Sequence, residues 1–240
     1  MSPARFRGEC RTVEISAGFE WLRHGWLMFA AHPAVWIGCS IVMLTVMLAV
    51  NIVPLLGQLA VNVLLPVLVA GLLQLCRDLG DDTPGNISAL FAGFRHNASA
   101  LITVGAIYTA GIFGIAFLAF LLVSGGVIGG VITGRVGGFG IALGSMMLAA
   151  LLVFALSVPV ILAAWFAPAL VYFHDMAPFD AMKASFAAGV KNWAAMVVFA
   201  LLLSIGAFFA LLPLGLGMLV FLPIVAGAVY ASYRDLFIES

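Results

Sequence analysis

The chain has 240 residues, and its 10 basic side chains balance its 10 acidic ones, so that the formal net charge is zero. Apolar residues make up 65% and charged residues 8%, whereas soluble domains carry roughly 25% charged residues. This composition excludes an ordinary soluble enzyme, a disordered chain and a nucleic-acid-binding protein, and it is typical of an integral membrane protein.

The first predicted element is an amphipathic helix that begins near residue 15. Residues 1–20 lack the apolar core of a secretory signal peptide, so we expect no cleaved leader. The apolar stripe recurs every three or four residues, which predicts a helix, and consists of Ile15, Phe19, Leu22, Trp26 and Phe29. An aromatic stripe with charged flanks suits a helix lying on the membrane surface, and it equally suits a helix packed on the rest of the protein.

Long uncharged segments follow, and proline and glycine divide them into six membrane spans of about 20 residues or more. The predicted spans lie near 34–53, 58–76, 98–123, 142–172, 193–212 and 214–233. The fourth span is too long for one straight helix, and we expect it to kink or end early at Pro159 or Pro168. Between the third and fourth spans lies a glycine-rich outer loop, 124–140.

The distribution of positive charge predicts the orientation of the spans. Nine of the ten lysine and arginine residues lie on the side that holds both termini, and only Arg135 lies on the other side. Since positively charged loops stay inside, we expect both termini in the cytoplasm.

Two further apolar stripes precede the third and fifth spans. They consist of Ile87, Leu90, Phe91 and Phe94, and of Phe179, Met182, Phe186, Val190 and Trp193. We therefore expect a single all-α membrane domain over 1–240, built from a degenerate threefold repeat of a cytoplasmic amphipathic helix plus a hairpin. The units are 14–79, 84–176 and 177–236, and parallel repeats of this kind imply an axis along the membrane normal.

Charged pairs close the second, fourth and sixth spans and are the candidate ligand or interface residues. They are Arg77 and Asp78, His174 and Asp175, and Arg234 and Asp235. One interpretation is structural, because cations complement helix C-termini and snorkel to the interface. The other is that the three aspartates converge near the axis to bind a cation or a headgroup. Asn62, within the second span, serves either helix packing or a solute.

Gly126, Gly130, Gly134 and Gly138 recur every four residues in the outer segment. In a helix they would form a bare ridge for close helix contact, in a re-entrant segment or between copies of the chain. A loop is the other interpretation, because glycine disfavours an exposed helix.

The chemistry of the spans favours a protein without catalytic activity. No span carries Asp, Glu, Lys or Arg, which argues against ion-coupled transport, and we predict no metal and no other cofactor.

We expect membrane lipids as partners, with a second copy or another membrane protein as a further partner, and no nucleic acid. The first hypothesis is a scaffold that binds lipid or protein. The alternative is a permease or channel for an uncharged or amphipathic solute, and the third is a lipid-modifying enzyme using His174, Asp175 and the cluster 78–82.

Several motifs carry a resemblance to known proteins. Gly25-Trp26 through Pro33, Leu90 to Arg95, Phe166 to Val171, and Tyr233-Arg234-Asp235 resemble an uncharacterised family of proteobacterial six-span inner-membrane proteins. This resemblance implies an inner-membrane location and no particular activity. A shorter stretch, Ala167 to Leu170 followed by Pro178, is similar to the membrane domain fused to some glycerophosphodiester phosphodiesterases. It implies at most a lipid-facing role, because the membrane domain fills this chain.

Overall fold

The computed structural model describes residues 10–54, 56–81, 83 and 85–238, without the side chains of residues 135 and 136. Within these ranges the chain folds into ten α-helices, with a 3₁₀ helix, Ile87–Phe91, before α4. In chain order they are α1 (Ala17–Ala31), α2 (Pro33–Val50), α3 (Leu56–Gly80), α4 (Ala92–Arg95), α5 (Ala98–Thr133), α6 (Arg135–Trp165), α7 (Ala167–His174), α8 (Pro178–Lys191), α9 (Trp193–Leu211) and α10 (Met218–Phe237).

Six segments of the described chain are long and apolar enough to cross a membrane, which confirms an all-α, polytopic membrane protein. They are α2, α3, α5, the pair α6 and α7, α9 and α10. Predicted and observed ends differ by four residues at most for α2, α3, α9 and α10. In the fourth span α6 ends at Trp165 and α7 begins at Ala167, so that Pro168 occupies the first turn of α7, where proline is tolerated.

The glycine-rich segment 124–140 is helical apart from Gly134, which agrees with one of the two interpretations of its glycine pattern and not with an outer loop. Helix α5 continues to Thr133 and α6 starts at Arg135, with Gly134 alone between them at φ 86°. A Cβ on Gly130 would overlap the carbonyl oxygen of Gly138, and a Cβ on Gly138 would overlap that of Gly130. Both helices keep their backbone hydrogen bonds internal, which an apolar environment demands. That demand outweighs the helix penalty of glycine, about 1 kcal/mol relative to alanine.

The α5–α6 hairpin is much longer than the other two. Helix α5 has 36 residues and α2 has 18, so that they measure about 54 Å and about 27 Å along their axes. The additional length belongs to the second predicted unit, and it is almost entirely apolar.

The short surface elements pack through small residues rather than through their predicted stripes. Helix α1 lies against α10, the 3₁₀ helix and α4 lie against α3, and α8 lies against α6. At the first contact a Cβ on Gly25 would overlap the carbonyl oxygen of Ile224. Where the 3₁₀ helix lies against α3, a Cβ on Gly71 would overlap the carbonyl oxygen of Leu90. At the third, buried Ser185 donates to the carbonyl of Leu162 at 2.6 Å.

The predicted apolar stripes therefore point mostly away from the bundle. Exposed aromatic side chains occur on all three surface elements: Phe19 and Trp26, Phe91 and Phe94, and Phe179 and Phe186. The opposite faces carry most of the buried residues, such as Trp21 on α1 and Ser185 on α8. Of the stripe residues, Phe29, Leu90 and Met182 are buried. Each element thus has one face on the bundle and an aromatic face that no described residue covers.

Candidate functional site

The six charged candidates lie at one end of the bundle, at or just beyond the C-terminal ends of α3, α7 and α10. We call this end the terminal face, because the described chain starts and finishes there. Arg77 and Asp78 lie in the last turn of α3, and Arg234 and Asp235 lie in the last turn of α10. His174 is the last residue of α7, and Asp175 follows it with a left-handed backbone, φ 51°.

The basic members of these pairs meet a cluster of aromatic rings. His174 Nε2 lies 2.5 Å from the hydroxyl of Tyr233, whose ring stacks on Phe173 with centroids 5.5 Å apart. The Arg77 guanidinium lies over the ring of Phe173, 5.6 Å from its centroid. Tyr233 is only 3% exposed, so this part of the terminal face is filled by protein.

The carboxylates, by contrast, have separate partners. The side-chain amide of Gln74 donates to Asp78 at 2.7 Å, within the same helix. Asp175 accepts from the side-chain amide of Asn97 at 2.5 Å and lies 3.2 Å from His96. The contacts of Asp175 with Asn97 and His96 hold the end of α7 against the start of α5.

Asp235 fastens three parts of the chain together. Its carboxylate accepts a hydrogen bond from the indole of Trp21 at 3.0 Å and pairs with the guanidinium of Arg11. The three aspartates thus have separate partners: Asp78 bonds within α3, Asp175 joins α7 to the start of α5, and Asp235 joins α10 to α1 and to Arg11. Across the described residues, no three His, Cys, Asp or Glu side chains form a group that could hold a metal ion.

The N-terminal segment 10–16 crosses the terminal face as a strap. Asn192, which is 3% exposed, accepts from the backbone N–H of Val13 at 2.8 Å and donates to the carbonyl of Arg11 at 3.0 Å. The ammonium group of Lys191 donates to the carbonyl of Cys10 at 2.7 Å. The backbone N–H of Arg11 also donates to the carbonyl of Leu236 at 2.9 Å. The strap therefore joins α8 to the end of α10.

Between this strap, α1 and α10 lies an open cleft of about 750 Å³, which we call the terminal groove. Apolar side chains line its inner part, among them Trp21, Met28, Tyr230 and Ala231. Its charged lining residues are Arg11, Glu14, Glu20, Arg234 and Asp235, and His24 lies beside them. A cleft of this volume is within the range of small-molecule sites, about 300–1,000 Å³.

The charges of the groove are only partly neutralised within the protein. Arg11 is paired with Asp235. Glu20 faces Arg23 at 3.6 Å, but both side chains are more than half exposed, and such pairs are weak. Arg234 stacks over Tyr230, 6.0 Å from the ring centroid, and among the described residues it has no carboxylate within ion-pair distance. One guanidinium and the carboxylates of Glu14 and Glu20 are therefore available to a ligand.

The remaining candidates lie elsewhere. Asn62 is half-buried in α3, 16 residues before Asp78 and therefore about 24 Å from it along the helix. Of the four glycines, Gly126 and Gly130 belong to α5, Gly134 forms the turn and Gly138 belongs to α6. The predicted single ridge is thus divided between two helices that face each other. Asp82 and Pro84 lie outside the described residues.

Sequence reasoning missed Trp21 and Arg11 as site residues. Trp21 lies off the apolar stripe of α1, and a signal for it exists in the small residues Ala17, Gly18 and Gly25, which share its buried face. For Arg11 the sequence gives no such signal, because no local pattern connects it with Asp235, which is 224 residues away.

The fold and the terminal face together define a multi-pass helical membrane protein with most of its charged residues at one end. The chain is similar to a probable inner membrane protein of Burkholderia thailandensis, with 29% identity over 212 residues, which cover 83% of this chain and 78% of that protein. No family model matches the chain, and no solved structure matches it. The similarity supports the expected relation to inner-membrane proteins of proteobacteria. The likeness to the membrane domain of glycerophosphodiester phosphodiesterases is not supported by this similarity.

Proposed function

We propose that this protein is a non-enzymatic scaffold of the bacterial inner membrane that binds lipid on its terminal face, with both termini in the cytoplasm. The observation that carries the proposal is the terminal groove. It combines an apolar interior with charged groups at the level where α10 ends, which is the chemistry of a phospholipid at the membrane interface. A second copy of the chain or another membrane protein would be recruited around this lipid-binding end.

The charge distribution supports the orientation. Arg11, Arg23, Arg77 and Arg95 all belong to the terminal-face end of the structure, and Arg135 belongs to the opposite tip. Arginine and lysine are retained on the cytoplasmic side of inner-membrane proteins. Arg5 and Arg7 lie outside the described residues.

The exposed aromatic stripes support membrane contact at the same level. Phe19 and Trp26 on α1 are 57% and 52% exposed, and Phe179 on α8 is 62% exposed. Aromatic side chains with charged neighbours lie favourably among lipid headgroups. Three such stripes around the terminal face would hold the groove at the membrane surface.

The other two functions remain hypotheses without a specific observation in their favour. A permease along the axis requires a cavity reached by Asn62 and the aspartates, but buried side chains such as Tyr233 and Phe237 occupy the end of that path. An enzyme built on His174 and Asp175 requires their convergence on a substrate, but His174 contacts Tyr233 of α10 and Asp175 accepts a hydrogen bond from Asn97 at the start of α5.

The test is native mass spectrometry of the full chain extracted in lipid discs. We expect one phospholipid to stay bound in a fixed stoichiometry. Ala231→Trp should fill the groove and reduce lipid retention at least tenfold. Ala187→Trp is the matched control, because Ala187 lies on the exposed side of α8 outside the groove. Equal retention by Ala231→Trp, bulk lipid without stoichiometry, or solute transport by the protein in liposomes would contradict the proposal.

A further inference from the structure

We propose that the terminal groove selects a zwitterionic phospholipid whose headgroup carries a primary ammonium, such as phosphatidylethanolamine. This inference rests on the proposed function, since it specifies the lipid for the same groove. It depends on the signs and positions of the charges that remain after the internal pairs have formed.

The first step is the charge balance of the groove. The pair between Arg11 and Asp235 removes one charge of each sign. Among the described lining residues there remain the guanidinium of Arg234, the carboxylate of Glu14 and the carboxylate of Glu20, whose pair with Arg23 at 3.6 Å is exposed and weak. Of these described residues, an anionic headgroup would meet one unpaired cation and two carboxylates, which repel it. A zwitterion places its phosphate on the cation and its ammonium on the carboxylates.

The second step is the arrangement of these groups. Arg234 is held over the ring of Tyr230, so that part of its guanidinium is fixed beside the apolar interior. Glu14 belongs to the strap, and Glu20 belongs to the first turns of α1. The cation therefore comes from α10, and the two carboxylates come from the strap and α1.

The third step concerns the kind of ammonium group. A primary ammonium donates up to three hydrogen bonds, and carboxylates such as Glu14 and Glu20 form charge-assisted hydrogen bonds with it. A quaternary ammonium has no N–H donor and is recognised by the open faces of aromatic cages. In this groove Trp21 is 2% exposed and Tyr230 is 8% exposed, so their ring faces are covered. The groove therefore favours ethanolamine over choline.

The last step concerns the acyl chains. The lining continues from the charged groups to Met28 and Ala231, which are half-buried positions on α1 and α10. Apolar side chains at this depth match the upper part of an acyl chain, so that one lipid can satisfy the charged and apolar parts of the groove together.

The experiment is a native mass spectrometry titration of the detergent-purified full chain with three lipids that share their acyl chains: phosphatidylethanolamine, phosphatidylcholine and phosphatidylglycerol. We expect phosphatidylethanolamine to bind at least tenfold more tightly than phosphatidylglycerol, with phosphatidylcholine between them. Tighter or equal binding of phosphatidylglycerol would overturn the inference. If none of the three lipids binds, the proposed function itself fails.

Variants separate the two ends of the headgroup. The double variant Glu14→Gln and Glu20→Gln should lose the preference for phosphatidylethanolamine and leave phosphatidylcholine binding unchanged. Arg234→Gln should weaken all three lipids, because all of them carry the phosphate. The matched controls are Asp180→Asn on α8 and Arg95→Gln on α4, both exposed and outside the groove. An unchanged lipid preference in the glutamate double variant would overturn the inference, because all the side chains changed are exposed and the fold does not depend on them.

Discussion

Two regions of this protein use glycine to bring helices together, and they differ in what surrounds the contact. Where α1 crosses α10, Gly25 lies against the backbone of Ile224 within the buried core. Where α5 meets α6, Gly130 lies against the backbone of Gly138, with exposed Val131 and Ile132 beside it. The glycine contact therefore joins two helices of the buried core in the first region, and in the second it joins only the two helices of one exposed hairpin.

The two regions also differ in how much of each helix the protein covers. In the most apolar 18-residue windows, 50% of the residues are buried in α10 and 44% in α3, but only 6% in α5. A hydrocarbon layer is about 30 Å thick, and α5 measures about 54 Å. Such a mismatch is accommodated by tilting the hairpin or by thickening the bilayer around it. The short hairpins need neither.

The largest expected effect is that of Gly25→Ala. The new methyl group would meet the carbonyl oxygen of Ile224 and, at 2.8 Å, the backbone nitrogen of Ala228. Neither backbone atom can move without shifting α10, so we expect a loss of about 3 kcal/mol in the free energy of unfolding, at the upper end of overpacking effects. Reversible unfolding in mixed micelles measures it.

The control for this variant is Gly114→Ala in α5, where an added Cβ meets nothing within 4 Å. Alanine favours a helix over glycine by about 1 kcal/mol, so this variant should be neutral or slightly more stable. If both variants lowered the free energy of unfolding equally, the effect of Gly25→Ala could not be attributed to the close packing of α1 on α10.

A smaller effect is expected for Ser185→Ala at the contact of α8 with α6. The hydroxyl of Ser185 accepts from the backbone N–H of Phe166 at 2.9 Å and donates to the carbonyl of Leu162. Its removal leaves buried backbone groups without that partner where α6 gives way to α7, which costs about 2 kcal/mol. Ser204→Ala is the control, since the Ser204 hydroxyl is exposed and bonds within its own helix. Similar melting temperatures for the two variants would contradict this assignment.

Much of the fold could be predicted from local sequence, because apolar length alone identifies a span. Helices α2 and α9 begin within a residue of their predicted starts. The region 124–140 could not be predicted, because glycine is compatible both with a loop and with a helix whose partner is close. Only the pairing of Gly130 with Gly138 across the turn decides between them, and that pairing is tertiary.

The candidate site was predicted in part for a related reason. Arg77, His174 and Arg234 could be located because span ends select basic residues. The hydrogen bond of Trp21 to Asp235 spans 214 positions, and the strap reaches Asn192 from the other end of the chain. Long-range pairs of this kind leave no periodic trace in a single sequence, so the groove could not be derived from it.

The smallest global effect is expected for Gly130→Ala at the tip of the hairpin. The added Cβ would overlap the carbonyl oxygen of Gly138 and separate the helices there. Because the tip lies outside the core cluster, the free energy of unfolding should change by less than about 1 kcal/mol. Amide exchange in residues 126–142 should nevertheless accelerate, since local opening becomes easier. Gly129→Ala is the adjacent control, because its Cβ would meet only Ile141 at 3.8 Å. A global loss of stability in Gly130→Ala would show that the exposed hairpin and the buried core fold as one unit, and would remove the distinction between them.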